Sequence, residues 1–272
     1  MTVLNLHLVS DSTGETVGTV AHACMVQFPD IDAKEFFWPM VRTKGQVTEV
    51  IAEIREKPGF VLYTLVNPEI SQILEDSCRE IQIPCMGLLD PIVVAIGGYI
   101  GAKARARPGL QHVLDAQYYG RIDAINFALA HDDGQSLKDL AGADVLILGV
   151  SRTSKSPTCM YLAYRGIKAA NIPVVSGIAV PKEILEVETP LIVALTESPR
   201  RLVEIRRNRV RLLNKKGEDH YTDIEFVSRE VNEALRFYSN HGWPIIDVTR
   251  RSVEETAATI VQMLKRHRDA AA

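Results

Sequence analysis

One segment of the chain combines a glycine, a lysine and hydroxyl side chains in a spacing suited to phosphate chemistry. It reads Gly149-Val-Ser-Arg-Thr-Ser-Lys-Ser156 and matches G-x-x-x-x-G-K-[ST], except that Ser154 replaces the second glycine. A left-handed backbone costs a serine more than a glycine, so this departure weakens the match. In its favour, Lys155 can neutralise terminal phosphates and the Ser156 hydroxyl can ligate magnesium. The segment predicts a nucleotide-binding loop, the alternative being an ordinary strand-to-helix turn with a serine-rich cap.

The flanking residues predict the elements that would position this loop. The apolar run at 143–149 predicts a buried strand, and a helix is predicted at 157–170 with Pro157 in its first turn, where a missing N–H is harmless. A strand, a loop and a helix in that order place backbone N–H groups and a helix N-terminus around a phosphate. Lys155 is expected to face solvent.

A second polar turn, Ser10 to Thr16, follows the apolar run Leu4 to Val9. Parallel sheets place ligands beyond the carboxyl ends of their strands, so this turn is a candidate anion site with Asp11 as a general base. The alternative is a helix cap, in which Ser12 or Thr13 would cap the next helix.

Two further aspartates follow predicted strands. Asp90 comes after Gly87-Leu-Leu89, and Asp247 comes after Pro244-Ile-Ile246. Either carboxylate could bind magnesium or act in catalysis, as carboxylates do in phosphoryl transfer. The alternative is that both are helix caps.

The predicted helix at 198–216 is strongly basic. One interpretation is a clamp for phosphate or for an acidic or phosphorylated protein, since guanidinium groups bind such groups bidentately. The alternatives are a solvated helix face and, less favoured in an otherwise acidic chain, a nucleic-acid surface. Its cations are Arg200, Arg201, Arg206, Arg207, Arg209, Arg211, Lys215 and Lys216.

Composition excludes several function classes. The 272 residues carry 31 basic and 34 acidic side chains, a net charge of -3, which gives no overall attraction to nucleic acid or anionic membranes. The four cysteines form no C-x-x-C pair and are predicted to be reduced thiols in a cytoplasmic protein. The seven histidines show no zinc-ligand spacing. No apolar run is long enough to span a bilayer.

Strand and helix patterns alternate along the whole chain. Strands are predicted at 4–9, 34–40, 60–66, 83–89, 143–149, 174–180, 191–195 and 245–248, with helical patterns between most of them. This alternation predicts an α/β protein: a parallel-sheet N-terminal α/β domain at 1–130 and a P-loop-type α/β nucleotide-binding domain at 131–272. The stretch 91–107, rich in glycine and small apolar residues, is either a connector or a packed helix.

Four blocks together resemble the regulatory proteins of pyruvate, phosphate dikinase. They are Val9-Ser-Asp-Ser-Thr-Gly-Glu-Thr16, Val150-Ser-Arg-Thr-Ser-Lys-Ser-Pro-Thr158, Arg201-Leu-Val-Glu-Ile-Arg-Arg-Asn-Arg209 and Ile246-Asp-Val-Thr-Arg-Arg-Ser-Val-Glu-Glu-Thr256. The blocks occur in the order found in that family and span most of the chain. A sister branch acts on phosphoenolpyruvate synthase and has Cys-Gly where this chain has Thr153-Ser154, which favours the dikinase branch.

The resemblance implies a bifunctional serine/threonine kinase and phosphorylase. It would use ADP to phosphorylate a threonine of the dikinase, and inorganic phosphate to remove that group with release of pyrophosphate. Lys155 would hold the β-phosphate, Ser156 would place Mg²⁺, and Asp11 or Asp247 would accept the proton of the threonine. Three alternative functions remain open: a small-metabolite kinase, the synthase regulator and a non-catalytic ADP sensor. A homodimer also remains open. The ADP-binding residues would be Gly149, Val150, Ser151, Arg152, Thr153, Ser154, Lys155 and Ser156.

Overall fold

The computed structural model describes residues 2–109, 116–212 and 219–271. It divides into two compact units, Met1–Val113 and Leu114–Ala272. Helix α5 (Ala116–Ala130), which lies in the predicted N-terminal domain, belongs to the second unit, where it packs on the helix that follows the segment 149–156. Ala124, Ala128 and Ala163 form the buried contact between these two helices.

The first unit is a parallel α/β sheet. Its elements are β1 (Thr2–Ser10), α1 (Glu15–Met25), β2 (Ile31–Trp38), α2 (Lys44–Glu56), β3 (Phe60–Thr64), α3 (Pro68–Glu80), β4 (Cys85–Gly87) and α4 (Asp90–Ile100). The strand order is β2-β1-β3-β4, with every neighbouring pair parallel. The stretch 91–107 thus contributes most of helix α4, followed by a loop.

The second unit repeats this strand order. After α5 come β5 (Val145–Gly149), α6 (Lys155–Tyr164), β6 (Ala169–Pro173), α7 (Lys182–Leu185), β7 (Leu191–Thr196), α8 (Pro199–Leu212), α9 (Ile224–Asn240), β8 (Ile245–Asp247) and α10 (Val253–Ala271). The order β6-β5-β7-β8 is again all parallel. The predicted α/β class with parallel sheets is confirmed.

In each sheet the first strand lies between the second and the third strands. The chain therefore leaves β1 toward one edge of its sheet and later returns on the other side, and β5 does the same. Loops at such a reversal of strand order open into a crevice that binds ligands in α/β proteins. The two polar segments 10–16 and 149–156 occupy this place in their respective units.

Strand β5 is buried on both faces, which explains its unbroken apolar run. Leu146 and Leu148 pack into one core layer, whereas Val145 and Ile147 pack into the layer on the other side of the sheet. Alternate side chains of a strand point to opposite faces, so a central strand between two helical layers is apolar throughout. The loop is thereby anchored on a rigid strand.

After the loop, the predicted end of the helix and the predicted strand at 174–180 were wrong. The predicted helix at 157–170 ends at Tyr164, because Gly166 takes a left-handed φ of 79° and the Ile167 N–H donates back to the Leu162 carbonyl, which closes the helix. The next strand is therefore β6 at Ala169–Pro173, and 174–180 carries no strand. The short helix α7 was not predicted.

Candidate phosphate-binding site

The segment between β5 and α6 forms a tight loop with two left-handed residues. Arg152 has a φ of 74° and Ser154 a φ of 60°, and α6 begins directly after Ser154. Each such angle costs a residue with a side chain about 1–2 kcal/mol. Ser154 therefore occupies the strained position at which the phosphate-loop pattern has glycine, as the sequence indicated.

Contacts from inside the loop hold this conformation. The hydroxyl of Thr153, which is fully buried, donates to the Val150 carbonyl at 3.0 Å, and Lys155 Nζ donates to the same carbonyl at 3.0 Å. A Cβ added at Gly149 would lie 2.5 Å from the Thr153 hydroxyl and 3.1 Å from the Leu195 carbonyl. Only glycine fits at the end of β5.

Lys155 is buried rather than facing solvent, which corrects the expectation from sequence. Its exposed fraction is 6%, and burial lowers the pKa of its ammonium group to about 8. The carboxylates of Asp133 and Asp132 oppose this shift and raise the pKa, whereas the charge of Arg206 adds to the lowering. A buried ammonium in this state gains strongly from a phosphate placed beside it.

The carboxylates beside Lys155 come from a turn, Asp132–Gly134, that follows α5 and was not among the predicted site residues. Asn171 on β6, with an exposed fraction of 1%, donates through Nδ2 to Asp132 Oδ1 at 2.6 Å and to Ser156 Oγ at 2.9 Å. One buried amide thus joins the acidic turn to the hydroxyl of the loop. Asp133 is exposed, with a left-handed φ of 53°.

Asp11 lies in the first unit, at the carboxyl end of its sheet. It is almost fully buried, and its carboxylate accepts a hydrogen bond from the Val66 N–H at 2.7 Å. Burial raises the pKa of this carboxyl group above its ordinary value. The residue lines a cavity of about 520 Å³ together with Asp90, Arg105 and Arg107.

The N-cap residue of the helix that follows the turn 10–16 is neither of the two predicted side chains. It is Gly14, with a φ of 80°, which has no side chain to cap α1. A Cβ at Gly14 would lie 2.3 Å from the Phe37 ring, so the turn needs glycine for close packing as well as for its backbone angle. Helix α1 therefore begins after Gly14, and neither Ser12 nor Thr13 is its N-cap residue.

The two strand-end aspartates have local partners. Asp247 accepts hydrogen bonds from the Thr249 N–H at 2.9 Å and from the Thr249 hydroxyl, and these bonds lower the pKa of its carboxyl group. Helix α10 is instead capped by Ser252, which exchanges hydrogen bonds with Glu255. Asp90 Oδ2 accepts from the Tyr63 hydroxyl at 2.9 Å at the start of α4.

The basic helix divides into one buried arginine and an exposed set. Arg206 has an exposed fraction of 1%, so this member of the predicted clamp is not accessible to a protein partner. Arg201 is exposed and pairs with Glu204 at 3.2 Å, and Lys215 and Lys216 lie outside the described residues. The other exposed members are Arg200, Arg207, Arg209 and Arg211.

Two other features are absent from the described ranges of the chain. Within them, no group of three or more His, Cys, Asp or Glu side chains is placed to hold a metal ion. None of the helices found there is both long and apolar enough to cross a membrane.

Comparison with known proteins gives a consistent family match. Residues 6–261 match the model of the kinase/pyrophosphorylase family. A candidate pyruvate, phosphate dikinase regulatory protein of Paramagnetospirillum magneticum is 50% identical over 263 residues, which cover 97% of this chain and 85% of that protein. A protein of the same description from Rhodospirillum rubrum is 50% identical over 260 residues, covering 96% of this chain and 94% of the relative. A third, from Caulobacter vibrioides, is 46% identical over 263 residues, covering 97% and 84%.

Proposed function

Since the chain belongs to the kinase/pyrophosphorylase family, we propose that it switches a pyruvate, phosphate dikinase off and on. In one direction it transfers the β-phosphate of ADP to a threonine of the dikinase. In the other it uses inorganic phosphate to remove that group and releases pyrophosphate. The observation that carries this proposal is Lys155, a buried ammonium at a helix N-terminus beside a loop with two left-handed residues.

The residues around Lys155 support the transfer step. The threonine oxygen would attack the β-phosphorus of ADP, the bond to the bridging oxygen would break, and AMP would leave. Lys155 and the loop N–H groups would stabilise the charge on the phosphate, which is the main source of catalysis in phosphoryl transfer. In the reverse reaction a phosphate oxygen attacks the phosphothreonine phosphorus, and the threonine oxygen leaves.

A carboxylate is needed to accept the threonine proton and to return it in the reverse reaction. We assign this role to Asp133 in place of the sequence candidates Asp11 and Asp247. Asp133 is exposed to an incoming substrate and close enough to raise the pKa of Lys155. Asp247 is engaged by Thr249, and Asp11 by the Val66 N–H.

The oxygen donors around the loop fit a magnesium ion. The Ser156 hydroxyl and the Asp132 carboxylate, both held by Asn171, are the kind of hard oxygen ligands that Mg²⁺ prefers. These two residues would hold the ion, which when bound neutralises phosphate charge. Together with the strand, loop and helix order, this supports a P-loop-type description of the second unit.

The donor nucleotide provides the direct test. Incubated with the dikinase and ADP labelled at the β-phosphate, the chain is expected to move label to a threonine of the dikinase and to form AMP. Adding inorganic phosphate afterwards should release the label as pyrophosphate. Label transferred only from the γ-phosphate of ATP would contradict the proposal, as would transfer to a metabolite without any protein. Tight ADP binding with no transfer would instead identify a nucleotide sensor.

The exposed arginines of α8 are proposed to meet the protein substrate. Changing Arg201 or Arg209 to glutamate is expected to raise the KM for the dikinase more than about tenfold, which corresponds to about 1.4 kcal/mol, and to leave ADP affinity nearly unchanged. A solvated face predicts a smaller effect, because isolated surface charges contribute about 0–1 kcal/mol. The same reversal at Arg229, an exposed arginine on α9, is the control. Equal KM values in all three variants would place the substrate surface elsewhere.

A further inference from the structure

Arg206, the buried arginine of α8, contacts the phosphate loop at Ser151. Arg206 Nη2 donates to the Ser151 carbonyl at 3.1 Å and lies 2.8 Å from Glu230 Oε2 on α9. Its guanidinium group also stacks on the ring of Tyr221, 4.8 Å from the ring centroid. Tyr221 in turn contacts the loop, since its hydroxyl lies 3.3 Å from Ser151 Oγ. Ser151 is therefore held through both its backbone and its side chain.

Stability alone does not account for this arrangement. Removing an ion pair from water costs free energy that its mutual attraction often does not recover, and well-packed apolar residues can replace such pairs without loss. Arg206 and Glu230 are both buried, and Arg206 Nε has no hydrogen-bond partner among the residues that the structure describes. The charged pair supplies a directed hydrogen-bond donor to the Ser151 carbonyl. An apolar pair could not supply one.

Fixing that carbonyl also fixes the next N–H group. In a trans peptide the C=O and the N–H point in opposite directions, so the Arg152 N–H points away from the guanidinium group of Arg206. Arg152 then takes its left-handed φ of 74°, and Ser154 repeats that conformation two residues later. Successive N–H groups in such a sequence form a concave anion-binding surface. The orientation of one peptide thus helps to define the binding surface.

We propose that Arg206 is a positioning residue, which holds the phosphate loop in its binding conformation through the Ser151 carbonyl. Glu230 and Tyr221 keep the guanidinium group in the required orientation. The identity of the loop's ligand, ADP, rests on the proposed function. The role of Arg206 in ordering the loop does not.

The first test compares Arg206→Met with Arg229→Met, a matched change at an exposed arginine of α9. Arg206→Met is expected to weaken ADP binding, measured by calorimetry, about 10- to 100-fold, as for loss of one hydrogen bond from a charged donor. Without any ligand, it should also speed amide hydrogen exchange in the peptide covering 149–156. Arg229→Met should change neither. Wild-type affinity and exchange in a folded Arg206→Met variant would overturn the proposal.

A conservative variant separates positioning from charge. Arg206→Lys keeps the positive charge but loses the planar guanidinium group that lies over the Tyr221 ring and brings Nη2 to both Ser151 and Glu230, so it should not restore ADP affinity. In assays with the dikinase it should lower kcat in both directions and leave the KM for the dikinase unchanged. Full recovery by lysine would mean that charge alone matters and would refute the positioning role.

A milder variant covers the case in which Arg206→Met does not fold. Glu230→Gln keeps the shape of the buried pair and removes the charge that orients Arg206, so the loop should again exchange faster. Wild-type exchange in folded Glu230→Gln would count against the proposal. A wild-type chain that binds no ADP, with exchange responding to these variants as described, would contradict the proposed function alone.

Discussion

Replacing Lys155 with methionine is expected to lower ADP-dependent transfer at least about 100- to 1000-fold, the usual loss when one electrostatic stabiliser of a transition state is removed. The same change should raise the melting temperature of the ligand-free protein, because methionine fills a similar volume without the cost of burying an ammonium group. A lysine with a purely structural role predicts the opposite combination, with lower stability and retained transfer. Kinetics and thermal unfolding on one preparation distinguish the two.

The pH dependence of the free energy of unfolding follows from the burial of Lys155. The pKa of Lys155 is about 8 in the folded chain and 10.5 in its reference state. Between these values the unfolded chain binds more protons, so this lysine makes stability rise with pH across that window and contributes no slope below about pH 8. Lys155→Met should lack the rise. Equal slopes of unfolding free energy from pH 8 to 10.5 in both proteins would contradict the assigned pKa.

ADP affinity should change with pH in the opposite direction to stability. A bound phosphate stabilises the ammonium form, so above about pH 8 binding takes up a proton and ADP affinity falls as pH rises, by at most about tenfold per pH unit. Calorimetry in buffers of different ionisation enthalpy measures the proton directly. An uptake of zero at pH 9 would show that Lys155 does not contact the phosphate.

The local features of the phosphate loop were within reach of the sequence because they depend on neighbouring residues. An apolar run predicts β5, and Gly149 and Lys155 have the required spacing. The sequence also indicated that a left-handed backbone at Ser154 costs more free energy than it would at a glycine. Alternation of strands and helices likewise predicted parallel sheets. Gly166 is also a local signal, since a glycine there favours the end of α6 that the structure shows.

The other features of the site depend on contacts between residues that are far apart in the sequence. Asn171 joins Asp132 to Ser156, and those three residues are separated by 15 or more positions along the chain. The sequence does not distinguish Arg206 from the other arginines of α8. Only the packing of Arg206 against α9 and the loop does so. The basic composition of α8 did not show which of its cations was buried.

Which carboxylate accepts the threonine proton is decided by three parallel substitutions. Asp133→Asn is expected to lower kcat for transfer about 100- to 10000-fold, the range for general acid–base catalysis, whereas Asp11→Asn and Asp247→Asn should retain most of it. ADP binding should not weaken in Asp133→Asn, because the change removes a negative charge beside the phosphate site. The backbone should tolerate it, since asparagine adopts the left-handed conformation as readily as aspartate.

Asp139 supplies the matched control, being another exposed aspartate with a left-handed φ, 59°. Asp139→Asn makes the same chemical change at the same kind of backbone position, so any loss confined to Asp133→Asn reflects the site and not the turn. In single-turnover experiments the deficit should lie in the chemical step, and it should appear in phosphorolysis as well, because the departing threonine oxygen then needs the proton returned. A large loss in Asp11→Asn or Asp247→Asn with normal turnover in Asp133→Asn would transfer the role to that residue. A loss in one direction only would show that the two activities use different proton acceptors.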